Sequence, residues 1–420
     1  MVQQYKLKNN LSVILVPQKD TQSTTTLVMY PVGSRYEPEK LAGVSHYIEH
    51  LMFKGTKKRK SAQLLTREID RLGAEYNAFT SKEYTGYYIK AGAEYLDISL
   101  DILSDMLFQS VFDPKEMERE KGPIIEELRM YADNPIMNID TIFENLLYAG
   151  CPLGRDIGGT VKHVQSYQRD DVLAYRDKYY VPSNMTIVVA GNLPVGIESR
   201  IEQFFGQEPN TKKPSRVFKP GVFASAKKQD RIVVEKKQTD QAQLMLGFPG
   251  FEIDDMHRAI VGKVLTTILG GSMSSRLFTQ IRERRGLAYT VRAGREAYRD
   301  TGYYYVRAGL EPKNINKAIE VISAEIEKLC SKGVTGRELR DAKTHITGGQ
   351  VLSLEDSSVQ ANWYAQYALF HSRIWTPQQI RDAVNTVTQA EVQQLAQEIF
   401  ALNQMRVGII GSVEQADVVF

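Results

Sequence analysis

The order of apolar and polar positions predicts a chain that alternates repeatedly between short strands and amphipathic helices. Leu11 to Pro17 (LSVILVP) and Thr24 to Tyr30 (TTTLVMY) are β-branched and apolar over strand lengths. Gly43 opens a helical stretch that runs through His50 to about Phe53 and closes at Gly55. A second helix is predicted from about Ser61 to Leu72, with Gly73 as its stop. Tyr76 to Lys90 carries Thr, Tyr and Phe at strand-like density, and Glu94 to Ser110 has apolar residues at helical spacing. Asp113-Pro114 opens a further helix over 114–130, and Ser183 to Gly191 is a buried strand.

The second half follows a similar order. Arg231 to Glu235, Ala242 to Gly247 and Tyr303 to Gly309 have strand patterns, while Met256 to Leu269 and Asn314 to Cys330 have helical ones. The closing segment Gln404-Met-Arg-Val-Gly-Ile-Ile-Gly411 echoes Asn184-Met-Thr-Ile-Val-Val-Ala-Gly191 at an offset of 220 residues, close to half the chain. This pattern predicts an α+β fold of two similar α/β domains related by internal duplication. Each is expected to be a mostly antiparallel sheet with helices packed on one side. The expected boundaries are 1–206 and 229–420, joined by a linker at 207–228 rich in Pro, Lys, Gly and Ser.

Composition narrows the class. The 420 residues are 42% hydrophobic and 25% charged, as in a soluble globular protein, and the net charge of +3 is too mild to point to nucleic acid. Two cysteines, Cys151 and Cys330, stand far apart with no ligand spacing, which fits a reducing compartment and not a disulfide framework. The opening residues lack an apolar core segment, and no stretch approaches the roughly 18 apolar residues of a membrane span. The expectation is a cytoplasmic protein with neither nucleic acid nor membrane as a partner.

The chemistry concentrates in His46-Tyr47-Ile48-Glu49-His50. On a helix, residues four apart project from one face, so His46 and His50 stack one turn apart with Glu49 beside them. Two imidazoles suit Zn²⁺, and the adjacent carboxylate can take a proton from water. Leu51, Met52 and Phe53 continue an apolar face, so the polar triplet belongs inside the protein, where unpartnered charge is costly and a metal would relieve it. A third ligand is needed. The acidic stretch Glu116 to Leu128 offers Glu120, Glu126 and Glu127. Glu120 and Glu127 are seven apart and share a helix face, so one could bind metal while the other hydrogen-bonds a ligand histidine. Gly122-Pro123 interrupts this stretch and predicts a kink, or a helix that starts near Gly122 and leaves Glu120 outside it.

Together these residues resemble the pitrilysin/insulinase family of inverzincin peptidases, in particular its short mitochondrial-processing-peptidase-like branch. The resemblance runs from Gly43-Val-Ser-His-Tyr-Ile-Glu-His-Leu-Met-Phe-Lys-Gly-Thr56 through Gly73-Ala-Glu-Tyr-Asn-Ala-Phe-Thr-Ser81, Pro152-Leu-Gly-Arg155 and Tyr179-Tyr-Val-Pro-Ser-Asn-Met185. It continues to Gly270-Gly-Ser-Met-Ser-Ser-Arg-Leu-Phe278 and Arg282-Glu-Arg-Arg-Gly-Leu-Ala-Tyr289. It implies half of a clamshell zinc endopeptidase with one Zn²⁺ per chain. His46, His50 and Glu127 are the implied ligands, Glu127 lying at the family's interval of 77 residues after His50. Glu49 is the implied general base, and Glu120 the carboxylate behind a ligand histidine. Arg282 and Tyr289 are the implied pair that holds the substrate carbonyl and steadies the developing oxyanion. Ala74, Glu75, Tyr76, Asn77, Ala78 and Phe79 match the edge strand that takes up extended, unstructured peptides. With two domains and both motifs in one chain, the resemblance implies a homodimer that forms the closed chamber. The competing expectation is a non-catalytic or partner-dependent subunit of a processing-peptidase-like complex.

Overall fold

Apolar β-branched runs become the central strands of two sheets. The computed structural model describes residues 2–210, 212–215, 218–223 and 227–420. In the first sheet, β1 (Gln3–Lys6), β2 (Ser12–Pro17), β3 (Ser23–Tyr30), β4 (Glu75–Thr80), β5 (Thr85–Gly92) and β6 (Thr186–Gly191) lie in the order β1-β2-β6-β3-β5-β4. The second sheet contains β7 (Ile232–Lys236), β8 (Ala242–Pro249), β9 (Ala288–Ala297), β10 (Gly302–Leu310) and β11 (Arg406–Gly411), in the order β7-β11-β8-β10-β9. Every pairing is antiparallel except β2 with β6 and β7 with β11. The two echoing segments of the sequence are therefore β6 and β11. Each is fully buried and sits between one parallel and one antiparallel neighbour, as an internal duplication requires.

Side chains alternate across each sheet, so each strand feeds two cores. In the first sheet Val13, Leu15, Val28, Tyr30, Tyr87 and Ile89 point to one face, where they join the helix Leu96–Gln109 and the motif helix Val44–Leu51. Ile14, Val16, Leu27, Met29, Val188 and Ala190 point to the other and pack on Ala361, Tyr364 and Ala365 of the helix Ser357–Phe370. That helix is pinned at its start, where Lys90 reaches Asp356 at 3.0 Å and Thr25 meets Ser357 at 2.8 Å. The reciprocal arrangement holds in the second sheet. The helix Pro135–Leu147 lays Ile139, Phe143 and Leu147 against Met245, Tyr303 and Ile410. The Phe143 ring rests on Gly247, where a Cβ would come within 2.3 Å of it.

Each sheet thus carries helices on both faces, the second face being covered by a helix from the opposite half of the chain. The chain divides into one unit of residues 1–129, 155–218 and 353–374 and another of 130–154, 219–352 and 375–420. These differ from the contiguous spans 1–206 and 229–420, because nothing in the local pattern of a helix says which sheet it will cover. The division between residues 218 and 219 does fall within the stretch 207–228, of which 211, 216, 217 and 224–226 lie outside the described residues. Among the described residues no helix is long and apolar enough to cross a membrane.

The acidic helix corrects one expectation. It runs unbroken from Pro114 to Asp133, straight through Gly122-Pro123. A residue preceding proline usually avoids helical backbone because its Cβ meets the proline ring, and Gly122 has no Cβ. Met117, Glu120 and Ile124 are buried along one side and hold the helix on both sides of the proline.

Candidate metal centre

The motif helix Val44–Leu51 begins at a backbone position that glycine suits. Gly43 has φ of +94°, and a Cβ there would lie 2.3 Å from the carbonyl oxygen of Gly158. The Glu37 carboxylate caps this helix from inside the protein. It accepts hydrogen bonds from the backbone N–H of Gly43 at 2.6 Å and of Ser45 at 2.7 Å. Burial pushes Glu37 up to about 7, against the pull of these two donors. Tyr47 points into the core and donates to the carbonyl of Met117 at 2.6 Å, which fixes the acidic helix against the motif helix. The opposite side of the turn is then free to present His46 and His50, whose rings meet edge to face with centroids 4.7 Å apart.

Glu127 completes the group. Its Oε2 lies 3.6 Å from His46 Nε2 and 3.3 Å from His50 Nε2. One donor atom from each of the three residues falls within 4.8 Å of the others. A tetrahedral ion with bonds of about 2.0–2.1 Å would separate its donor atoms by about 3.4 Å. The two histidine-to-glutamate spacings match that value, so the residues present fit a zinc ion. The neighbouring Glu126 turns to solvent, 70% exposed, and pairs with Arg129 at 2.6 Å. Of the two adjacent glutamates, Glu127, which the family interval of 77 residues singles out, is the one whose carboxylate lies with the histidines.

The electrostatics are organised around His50. Its Nδ1 lies 2.9 Å from Glu120 Oε1, and Glu120 is held in turn by Lys54 at 2.5 Å. Burial opposes charge on His50, but Glu120 and Glu127 outweigh it and push the imidazole up to about 9. His46 shifts the other way, held low by burial and by the neighbouring His50. Burial also tends to raise Glu120, yet His50 and Lys54 keep its carboxyl below the usual range. Glu49 sits beside the triad with its pKa raised by burial, and its carboxylate accepts a 2.5 Å hydrogen bond from the Thr80 hydroxyl.

Family comparison gives the decisive observation. The description "Insulinase (Peptidase family M16)" matches residues 12–160, and "Peptidase M16 inactive domain" matches 166–346. An uncharacterized zinc protease of Bacillus subtilis, YmxG, is 35% identical over 95% of this chain and 96% of its own length. The chain belongs to the insulinase family of peptidases. A second insulinase-family relative, an uncharacterized zinc protease of Streptomyces coelicolor, is 32% identical over 95% of this chain and 87% of its own. Among solved structures, a protease from Helicobacter pylori has the same fold, with a TM-score of 0.89 and 24% identity over 98% of this chain and 99% of that one.

The other expected site residues fall in two places. Of the stretch Ala74–Phe79, all but Ala74 lie in β4, which pairs with β5 on one side and forms the sheet edge. Tyr76 and Ala78 face the core shared with the motif helix, and Phe79 faces the opposite core. Arg282 and Tyr289 lie in the second unit, with the Arg282 guanidinium 4.9 Å from the Tyr289 ring centre. Sequence reading missed Thr80, Lys54 and Glu37 as supporting residues. Lys54 stands one helical turn after His50, a spacing that could have flagged it. Thr80 closes the very strand singled out for peptides. Nothing local to Glu37 announces its capping role.

Proposed function

We propose that this protein is a zinc-dependent endopeptidase acting on extended, unstructured peptides. The observation that carries this reading is the convergence of His46, His50 and Glu127 at zinc-like spacing, with the Glu49 carboxylate beside them. His46, His50 and Glu127 would hold one Zn²⁺ per chain. When bound, zinc supplies Lewis acidity toward a water and a carbonyl oxygen.

The chain's own residues supply the remaining parts. Glu49, raised by burial, is the general base that accepts the proton of the attacking water and returns it to the leaving amine. Thr80 holds that carboxylate in place through its hydroxyl. Glu120 fixes the ring orientation of His50. Among the described residues β4 has an unpaired edge, to which a peptide can add as a further strand, so recognition rests on extended shape more than on side chains. Arg282 and Tyr289 are donors to the substrate carbonyl oxygen as negative charge develops on it. Both motifs stand in one chain, which favours a homodimer. The free cysteines Cys151 and Cys330 fit a cytoplasmic setting.

The test is hydrolysis of a quenched fluorescent peptide of roughly 10–20 residues, a length suited to β-strand addition. Cleavage that a chelator stops and added zinc restores supports the reading. A metal-loaded dimer that cleaves nothing supports a non-catalytic or partner-dependent subunit instead.

A further inference from the structure

Arg282 lies in a π-helix, Phe278–Glu283. This wide turn is rare and often marks functional positions. The backbone N–H of Arg284 reaches the carbonyl of Thr279 five residues earlier at 3.0 Å, and that of Leu287 reaches Ile281 at 2.9 Å. Residues 278 and 282 stand four apart, about one turn, along this segment. The Arg282 guanidinium lies 4.9 Å from the ring centre of Phe278 and 4.9 Å from that of Tyr289, inside the range of a cation–π contact with each. Among the described residues, the contacts of the guanidinium are these two rings. Its two ring neighbours differ in setting. Tyr289 is 69% exposed, whereas Phe278 is partly buried and packed on the second core.

An arginine gripped by ring faces keeps its in-plane N–H donors open. An arginine tied to a carboxylate would have spent them. We propose that Phe278 is a positioning residue: its core-anchored ring, one turn before Arg282, holds the guanidinium donor-ready for a substrate carbonyl oxygen. This inference rests on the proposed role of Arg282. The residue that sets the geometry is the partly buried, core-packed ring, while Tyr289, exposed and carrying a hydroxyl, shares the work of donation.

The test is a double-mutant cycle on peptide hydrolysis by the zinc-loaded full chain, using Phe278→Leu, Phe278→Tyr, Arg282→Ala and Phe278→Leu/Arg282→Ala, with melting temperature as the folding control. Phe278→Leu is expected to lower kcat roughly three- to tenfold with KM little changed, in keeping with one lost cation–π contact. Phe278→Tyr keeps the ring and is expected to stay within about twofold of wild type. In the Arg282→Ala background, Phe278→Leu is expected to cost nothing more. If Phe278→Leu does not fold, Phe278→Met takes its place as the ringless variant. Equal losses in both backgrounds, or none in either, overturn the positioning role and leave that of Arg282 standing. An Arg282→Ala enzyme as active as wild type overturns the role of Arg282 itself, and the positioning role with it.

Discussion

His50 Nδ1 and Glu120 Oε1 lie 2.9 Å apart, one on the motif helix and the other on the acidic helix, two turns before Glu127. This contact leaves the Nε2 of His50 turned toward Glu127, 3.3 Å from its Oε2. A carboxylate behind a ligand histidine fixes the ring and raises its basicity. Glu120→Gln is therefore expected to weaken zinc binding about 10–100-fold without removing a ligand. Competition against a chelator of known affinity measures this. Unchanged affinity would show that the contact is structural.

The same contact predicts a proton count. Glu120 and Glu127 push His50 up to about 9, while His46 is held low. At pH 7 His50 then carries a proton that a ligand nitrogen cannot keep, so zinc binding releases about one proton from it. Apparent affinity rises with pH through the neutral range and levels off above about 9. Calorimetric titration in buffers of different ionisation heat reads the number directly, and heats independent of buffer would contradict it.

Thr80 tunes the base. Burial raises Glu49, and the Thr80 hydroxyl pulls it back down. Thr80→Val removes the second influence, so Glu49 is expected to hold its proton to higher pH. The acid limb of the kcat/KM profile then moves up in pH and the alkaline limb stays where it is. A profile that only falls in height would assign Thr80 to packing.

Gly43 sets the helix that carries the motif. Its positive φ and its 2.3 Å approach to the Gly158 carbonyl leave no room for a methyl group. Gly43→Ala is expected to destabilise the fold by about 1–3 kcal/mol and to weaken zinc binding with it. Urea denaturation and metal content check the two effects. A stable, fully loaded variant would mean that the helix start can relax.

Helix exchange makes its own prediction. Ala361 and Ala365 are fully buried where the helix Ser357–Phe370 meets the first sheet. Ala365→Leu forces extra volume into that contact and is expected to cost about 1–3 kcal/mol. Ala368→Leu, on the same helix but outside that cluster, is the control and is expected to change stability by less than about 0.5 kcal/mol. Urea denaturation of the two variants side by side checks the difference, and equal stabilities would contradict the tight contact.

Much of the fold was legible because periodicity reports local structure. β2, β3, β6, β8 and β11 follow apolar runs, and the duplication shows in the match between β6 and β11. β9 escaped notice because it is a polar edge strand whose exposed positions break the alternation. The exchange of Pro135–Leu147 and Ser357–Phe370 was illegible, since a helix face does not name the sheet that will cover it. At the site, His46, Glu49 and His50 follow from spacing on one helix. Choosing Glu127 over Glu126 needed the resemblance or the structure. Glu37 and Thr80 act across long sequence distances that no local pattern records.

The most direct measurement is the zinc content and peptide hydrolysis of Glu49→Gln, side by side with wild type. The substituted amide would keep the shape of the site but could not accept the proton. The account predicts wild-type zinc, about one ion per chain, together with a loss of roughly 10²–10⁴ in kcat/KM or more. A Glu49→Gln protein that keeps both its zinc and its turnover would contradict Glu49 as the base and, with it, the proposed reaction.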